Sequence, residues 1–295
     1  MRKLFAFTVL ALTFSVAGRA QTYQTDFRRA MQAQDTAQAR QVLAAWQQKK
    51  PQDPDWYAAN FNYLLKKAYR VVLSADPNKK GGLTFSKPGG EAAGSISEGY
   101  EPTLLAAARS TLRDGIRLAP DRLDMRFGLA KTYEMTQEPA AEIEVLAAAL
   151  ADRQASGKPW RWRDGERLPE AEKDFIPESL EDYMLPYWQL QSAEGDEVVR
   201  QLAELLGKYY PESSLAPFNL GTYYAQKKQW QKSLELFQQA NSRKPNDWQT
   251  LANLTKVEIE LGHKAQAQQY VAALRKLPEG RAAATDLSKE IRAMK

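Results

Sequence analysis

The chain has 295 residues, of which 41 are basic and 36 acidic, giving a net charge of +5 with its single histidine neutral. It contains no cysteine, which excludes disulfides, thiolate metal sites, thiol nucleophiles and a cysteine-linked lipid anchor. Lysine and arginine occur in scattered pairs rather than blocks, so the composition does not favour nucleic-acid binding. Without disulfides, the chain must rely on a large buried core, as one elongated repeat domain or as two compact domains.

Residues 1–20 have the pattern of a secretory signal peptide. Two basic residues precede an apolar run at 4–17. The small residues Gly18 and Ala20 occupy the two positions that a signal peptidase recognises before a cleavage site at Gln21. The run is shorter than the roughly 17–25 residues that a membrane-spanning helix requires. We therefore expect cleavage before Gln21 and export to the periplasm or the medium, with a processed chain of net charge near +2. An uncleaved N-terminal anchor is the alternative.

Evenly spaced prolines divide the C-terminal part of the chain. Pro211 and Pro245 lie 34 residues apart, and Pro278 follows 33 residues later. Because proline lacks an N–H group and restricts the residue before it, each is expected to end a helix. A period of this length is typical of helical repeats, in which each helix pair buries its apolar face against the next.

The segment before Pro245 carries the most specific pattern. Its residues fall at fixed offsets: Leu220, Gly221, Tyr224, Ser233, Phe237, Ala240 and Pro245. The small residues among them allow two helices to approach closely, and the rings fill the space between the helices. In type and spacing these residues resemble a tetratricopeptide repeat (TPR), with Pro217 where the family usually has Trp and Ser233 where it usually has Ala.

The same pattern recurs more weakly at residues 20–70, 123–153 and 248–280. Together these segments predict an all-α fold, a TPR-like right-handed superhelix of about six antiparallel helix pairs within a single domain, residues 21–295. Asp35, Asp53 and either Asn246 or Asp247 are suited to cap helices.

Two segments break the period and are expected as loop insertions, at residues 74–101 and 156–178. The first is rich in glycine, and its residues 83–85 are compatible with half of a small hairpin. After the second, a capping-box pattern at residues 179–182 predicts the start of a new helix.

The TPR resemblance implies a function. Proteins of this family are usually non-catalytic scaffolds that hold a partner segment in a concave groove formed by the first helices of the pairs. In this frame the groove positions are Phe127, Lys131, Glu134, Phe218, Thr222, Gln226, Lys256 and Glu260. They depart from the Lys and Asn pattern with which one TPR subset grips a C-terminal carboxylate, so that role is disfavoured. With its N-terminal pattern, the chain is similar to exported TPR proteins of Gram-negative, Bacteroidetes-like bacteria.

The second insertion contains an unusual cluster, Trp160, Arg161, Trp162 and Arg163. Flat aromatic faces beside guanidinium groups suit sugar stacking or peptide capture. In the alternative interpretation, the two tryptophans pack the insertion against the helices and the arginines cover their faces.

His263 follows Gly262 in an expected turn between helices, and no second histidine or cysteine exists to complete a metal site or a catalytic triad. We expect an exposed turn residue there, and no catalytic residue, cofactor or metal site. The sequence therefore favours a non-catalytic exported scaffold that binds a protein or peptide, without nucleic acid or a membrane span. A periplasmic or surface glycan-binding module that uses the Trp-rich insertion is the alternative, and no constellation of residues supports an enzyme.

Overall fold

The structure is a computed structural model that describes residues 16–78 and 83–294. Most of the predicted signal peptide, residues 1–15, lies outside the described residues, and residues 16–20 begin the first helix. Cleavage before Gln21 therefore stays a prediction. Among the described helices, none combines the length and the apolar character needed to cross a bilayer.

The described residues form thirteen helices and one small sheet, divided between two compact units. The first unit extends to Thr132 and includes Arg163–Gly165, and the second holds the remainder. The helices of the first unit are α1 (Val16–Gln32), α2 (Thr36–Lys49), α3 (Pro54–Ala68), α4 (Pro102–Leu118) and most of α5 (Leu123–Met135). Those of the second are α6 (Pro139–Ser156), α7 (Glu172–Gln189), α8 (Ala193–Tyr209), α9 (Leu215–Gln226), α10 (Trp230–Arg243), α11 (Trp248–Glu260), α12 (Lys264–Lys276) and α13 (Arg281–Ala293).

Consecutive helices pack in pairs. In the first unit α1 lies against α2 and α3 against α4, and in the second α7 lies against α8, α9 against α10 and α11 against α12. The last helix, α13, packs on both α11 and α12. Helices paired in succession, each burying its face against the next, confirm the predicted all-α helical repeat of TPR-like type.

One hydrogen-bonded turn recurs between consecutive helices. The first helix ends before a residue in the left-handed conformation, whose N–H donates to the carbonyl three residues earlier. The N–H of the following residue donates to the carbonyl five residues earlier, which together make a Schellman motif. The left-handed residues are Gln34, Gln137, Lys228 and Gly262, with φ of 57°, 58°, 56° and 78°. The repeat is thus preserved in its backbone geometry even where the side chains differ.

α9 and α10 meet through the small residues of the repeat pattern. A Cβ atom on Gly221 would stand 2.9 Å from the ring of Phe237, which is almost fully buried. The buried hydroxyl of Ser233 donates to the carbonyl oxygen of Gly221 at 2.8 Å. Ser233 therefore adds a cross-helix hydrogen bond where the family usually has alanine.

Aspartates cap the helices as the sequence predicts. Asp35, Asp53 and Asp247 each accept a hydrogen bond from a backbone N–H in the first turn of α2, α3 and α11. Of the two candidates before α11, Asp247 is the cap, and Asn246 adopts a left-handed conformation with φ 66° in the preceding turn.

The first predicted loop insertion, residues 74–101, is mostly a sheet. Strands β1 (Tyr69–Ser74), β2 (Leu83–Ser86) and β3 (Ala92–Tyr100) pair antiparallel in the order β1-β3-β2. The hairpin expected at residues 83–85 is confirmed, but the prediction of a loop throughout the segment is wrong. β1 begins directly after Ala68, inside the segment that had been assigned to the helical repeats.

The predicted start of a helix at residue 179 is also wrong, because α7 begins at Glu172. Ser179 lies inside the helix and its hydroxyl donates to the carbonyl oxygen of Phe175 at 2.7 Å. Pro177 removes one hydrogen bond from the ladder. Ile176 and Leu180 on either side are fully buried, and this burial outweighs the loss.

Replacing Gly221 by alanine tests whether close approach sets the spacing of α9 and α10. The added methyl group would overlap the Phe237 ring, and such overpacking costs about 1–3 kcal/mol. Replacing glycine by alanine in a helix interior stabilises the helix by only about 1 kcal/mol. We expect Gly221→Ala to lower the free energy of unfolding by about 1 kcal/mol, measured by urea denaturation.

Gly207 in α8 is the matched control. A Cβ atom there would lie 3.4 Å from the Cβ atom of Ala216, an ordinary contact. Gly207→Ala should therefore stabilise the protein by up to about 1 kcal/mol. Equal effects of the two substitutions would contradict the close-packing interpretation.

Candidate functional site

A hollow in the second unit runs along α9, α11 and α13, and is called the groove below. It consists of two adjoining depressions of about 390 and 320 Å³. Both are lined by Asn253, Lys256 and Glu290, so they are continuous. The groove contains four of the residues predicted from the TPR frame: Phe218, Gln226, Lys256 and Glu260.

Helix geometry brings these side chains to one surface. Ala252, Lys256 and Glu260 are spaced by four residues and therefore lie on one face of α11. The opposite face of α11 buries Leu254 in a core shared with α10, α12 and α13. α11 is thus held on one side by apolar packing and presents its other side to the groove.

One end of the groove is aromatic. Phe218 is partly buried and meets Phe237 edge to face, with ring centroids 5.9 Å apart. Trp248, at the first position of α11, is 37% exposed. The two residues supply an apolar floor on which a large side chain of a ligand can pack.

The other end is charged. Lys256 and Glu260 are exposed on α11, and Glu290 reaches the groove from α13. With the other described residues, these three side chains form no ion pair or side-chain hydrogen bond, and neither does the amide of Asn253. These four side chains therefore offer one ammonium, two carboxylates and one amide whose hydrogen-bonding capacity the described part of the chain does not use.

Two of the predicted groove residues are engaged locally. The hydroxyl of Thr222 donates to the carbonyl oxygen of Phe218 at 3.0 Å, within α9. Gln226, with its amide nitrogen turned toward Asp196, donates to that carboxylate at 2.9 Å. Both side chains therefore use part of their hydrogen-bonding capacity within the protein, unlike those of Lys256 and Asn253.

The three predicted groove residues of α5 are divided between the units, with Phe127 and Lys131 in the first and Glu134 in the second. Lys131 is exposed and Glu134 is partly buried. Phe127 is buried, with 9% of its surface exposed, so the expectation of a ring open to a partner there is wrong. Its position in the TPR pattern does not by itself tell a buried ring from one open to the groove.

Most residues that line the groove were not predicted from the sequence, among them Trp248, Asn253, Asp286 and Glu290. Trp248 and Asn253 lie on α11, and Asp286 and Glu290 on α13. Because α11 is the first helix of a pair, the repeat pattern could have indicated Trp248 and Asn253 as groove residues. α13 follows the last recognisable repeat, so no motif indicated that its carboxylates would meet α11.

The Trp-rich insertion is built differently from the predicted ligand site. Trp160 is buried, with 4% of its surface exposed, and Trp162 meets Phe175 of α7 edge to face at 5.1 Å. Arg161 pairs with Arg167 in a backbone bridge, while Arg163 is exposed. A buried Trp160 cannot stack on a sugar, and these contacts favour the interpretation in which the two tryptophans anchor the insertion.

His263 lies in the expected turn, immediately before α12, and its side chain is 48% exposed. Its Nδ1 atom is 2.7 Å from Oε2 of Glu258, whose side chain is almost fully buried. The imidazole therefore supplies a hydrogen-bond partner to a buried carboxylate of α11. The sequence predicted the exposed turn residue but not this contact.

No family model and no curated protein matches the chain. Among solved structures it is similar to YrrB, a TPR protein with an unusual peptide-binding site, at 11% identity and a TM-score of 0.39 over 64% of this chain and 85% of that one. It is similar to the assembly chaperone of RpL4, Acl4, at 10% identity and a TM-score of 0.39 over 92% and 95%. The complex of the TPR2AB domain of yeast Sti1 with pHSP90 matches at 14% identity and a TM-score of 0.35 over 94% and 99%. At such scores these similarities carry no functional argument, and the helix pairing described above establishes the fold.

Proposed function

We propose that the chain is a non-catalytic, exported TPR-like scaffold that binds an extended peptide segment of a protein partner in the groove of α9, α11 and α13. The observation that supports this most is the unused set of polar side chains, Asn253, Lys256, Glu260 and Glu290, beside an exposed aromatic floor. Side chains that the protein does not use for its own stability are available to a ligand.

The chemistry of the groove suits a peptide. An apolar side chain of the partner packs against Phe218 and Trp248, and the Asn253 amide both donates to and accepts from a peptide backbone. Lys256 attracts an acidic group, while Glu260 and Glu290 attract a basic one. Because α11 is fixed by its buried face, the groove does not have to become ordered when the ligand binds, which lowers the entropic cost of association.

A double substitution, Trp248→Ala with Lys256→Glu, tests the groove. Trp248 is 37% exposed and Lys256 is exposed, so the double variant should stay folded and melt cooperatively, whereas Phe218 packs on the core and its truncation would cost more stability. Peptides selected from a random display library on the wild-type protein serve as the probe. We expect fluorescence polarisation to show at least tenfold weaker binding to the double variant, about 1.4 kcal/mol or more.

Lys276→Glu provides the matched control, because Lys276 is an exposed lysine on α12, which does not line the groove. Its affinity for the selected peptides should equal that of the wild type. If the double variant also binds them normally, or if the library yields no binder, the groove is not a peptide site.

The glycan alternative is tested through the tryptophans of the insertion. Since Trp160 is buried, Trp160→Ala should lower the free energy of unfolding by about 3–5 kcal/mol. Titration with oligosaccharides should leave the tryptophan fluorescence of the wild type unchanged. A saturable shift in emission that Trp162→Ala abolishes would support the glycan module instead.

Export rests on the N-terminal pattern alone. Expression in a Gram-negative host should release a processed protein into the periplasm, and mass spectrometry should find Gln21 as its first residue. Recovery of the unprocessed chain in the membrane fraction would indicate the uncleaved anchor.

A further inference from the structure

The three-stranded sheet exposes most of the large apolar side chains that are open to solvent. Of ten such side chains among the described residues, six lie on its strands: Tyr69, Val71, Leu73, Leu83, Phe85 and Ile96. Between 38% and 80% of the surface of each is exposed. These six residues are called the apolar sheet face below.

The strand register places them on one side of the sheet. Leu73, Ile96 and Leu83 face one another across the three strands and form a continuous apolar row. Phe85 pairs with Gly94, and its ring covers the glycine so closely that an added Cβ atom would stand 2.7 Å from it. Tyr69 and Val71 continue the face along β1, since alternate residues of a strand point the same way.

The polarity of the sheet is the reverse of the usual one. Ser95 on the opposite side is fully buried, and its hydroxyl donates to the carbonyl oxygen of Asp76 at 2.6 Å. Val72 and Ser97 on that side are also less exposed than Leu73 and Ile96. Antiparallel sheets normally turn their apolar side to the core and their polar side to water. A face inverted in this way is typical of an interaction surface.

We propose that the apolar sheet face packs against the same face of a second copy of this chain, joining two copies sheet to sheet about a twofold axis. A large side chain has about 150–250 Å² of surface, and roughly half of that surface is exposed in each of these six residues. Together they therefore offer roughly 500 Å² of apolar surface per copy. Two such faces together bury roughly 1,000 Å², which is the lower bound for a specific interface.

The charges around the face favour a second copy over an anionic bilayer. The only charged side chain that shares this side of β3 is Glu98, which accepts a hydrogen bond from the hydroxyl of Tyr69 at 2.9 Å. Arg70 donates to two nearby carbonyl oxygens, and Lys87 pairs with Glu91 at 3.7 Å. Among the described residues around the face, a membrane surface of anionic lipids would thus meet a carboxylate and engaged cations rather than a free basic rim.

Glu98 also fits the margin of a twofold interface. It faces Val71 across the β1–β3 pair, but β2 begins at Leu83 opposite Ile96 and has no residue opposite Glu98. Among the described residues, Glu98 thus lies beyond the end of the row formed by Leu73, Ile96 and Leu83, and its carboxylate is bonded to the Tyr69 hydroxyl. Self-pairing therefore places no unpaired charge of the described residues in the middle of the interface.

Sedimentation equilibrium of the purified protein tests the proposal. We expect a reversible monomer–dimer equilibrium, because an interface near this lower bound is typical of weak association. Ile96→Lys, at the centre of the face, should weaken dimerisation at least tenfold, because it brings two ammonium groups into an apolar contact. Leu185→Lys, at a comparably exposed leucine of α7, should leave the equilibrium unchanged. Circular-dichroism melts verify that each variant is folded.

A cysteine crosslink identifies the face directly, because the chain has no thiol of its own. Leu73→Cys should form a disulfide-linked dimer under mild oxidation, and Leu185→Cys should not. A wild-type protein that stays monomeric at several hundred micromolar, or a dimer that Ile96→Lys does not weaken, overturns the proposal. If the protein is monomeric and floats with phosphatidylglycerol vesicles, and Ile96→Lys abolishes this flotation, the apolar sheet face binds a bilayer and the proposal is overturned.

Discussion

The distance between the helices of a pair is the constraint on which the second unit depends. At Gly221 the backbone of α9 comes so close to the Phe237 ring that no side chain fits, and Ser233 fastens the contact with a hydrogen bond. In the first unit, a Cβ atom on Gly115 would stand 2.7 Å from both Met125 and Tyr57. Because one side of each helix is fixed so tightly, its remaining side is held at a defined angle. The groove is formed by the sides of α9, α11 and α13 that face away from the helix–helix contacts of the core.

Features that arise within one repeat could be predicted from the sequence. The spacing from Gly221 to Pro245 encodes a close contact, a filled core position and a helix end, all within a single helix pair. Each aspartate cap likewise acts on an N–H in its own first turn. On α11, the groove residues Lys256 and Glu260 followed from the same frame, because helix geometry alone decides which residues share a face.

Features that depend on contacts between distant segments could not be predicted. Glu290 faces Lys256 only because α13 packs on α11, and no repeat motif marks α13. The burial of Phe127 does not follow from its position in the repeat pattern, which marked it as a groove residue. β3 was missed for another reason, since its alanine, glycine and serine residues have low strand propensity and become a strand by pairing with β1 and β2.

The sheet occupies the position that a short turn holds in other helix pairs, between α3 and α4. The chain leaves α3 at Ala68 and returns at Glu101, whose N–H donates to the carbonyl oxygen of Ala68 at 2.7 Å. Lengthening a connection from a few residues to about thirty adds only about 2 kcal/mol of loop-closure entropy, and the pairing of β1 with β3 offsets this by holding the two ends together. α3 and α4 therefore pack as a helix pair although about thirty residues separate them along the chain. A helix pair of this kind can carry a surface module in place of its turn, provided that the module brings its own two ends together.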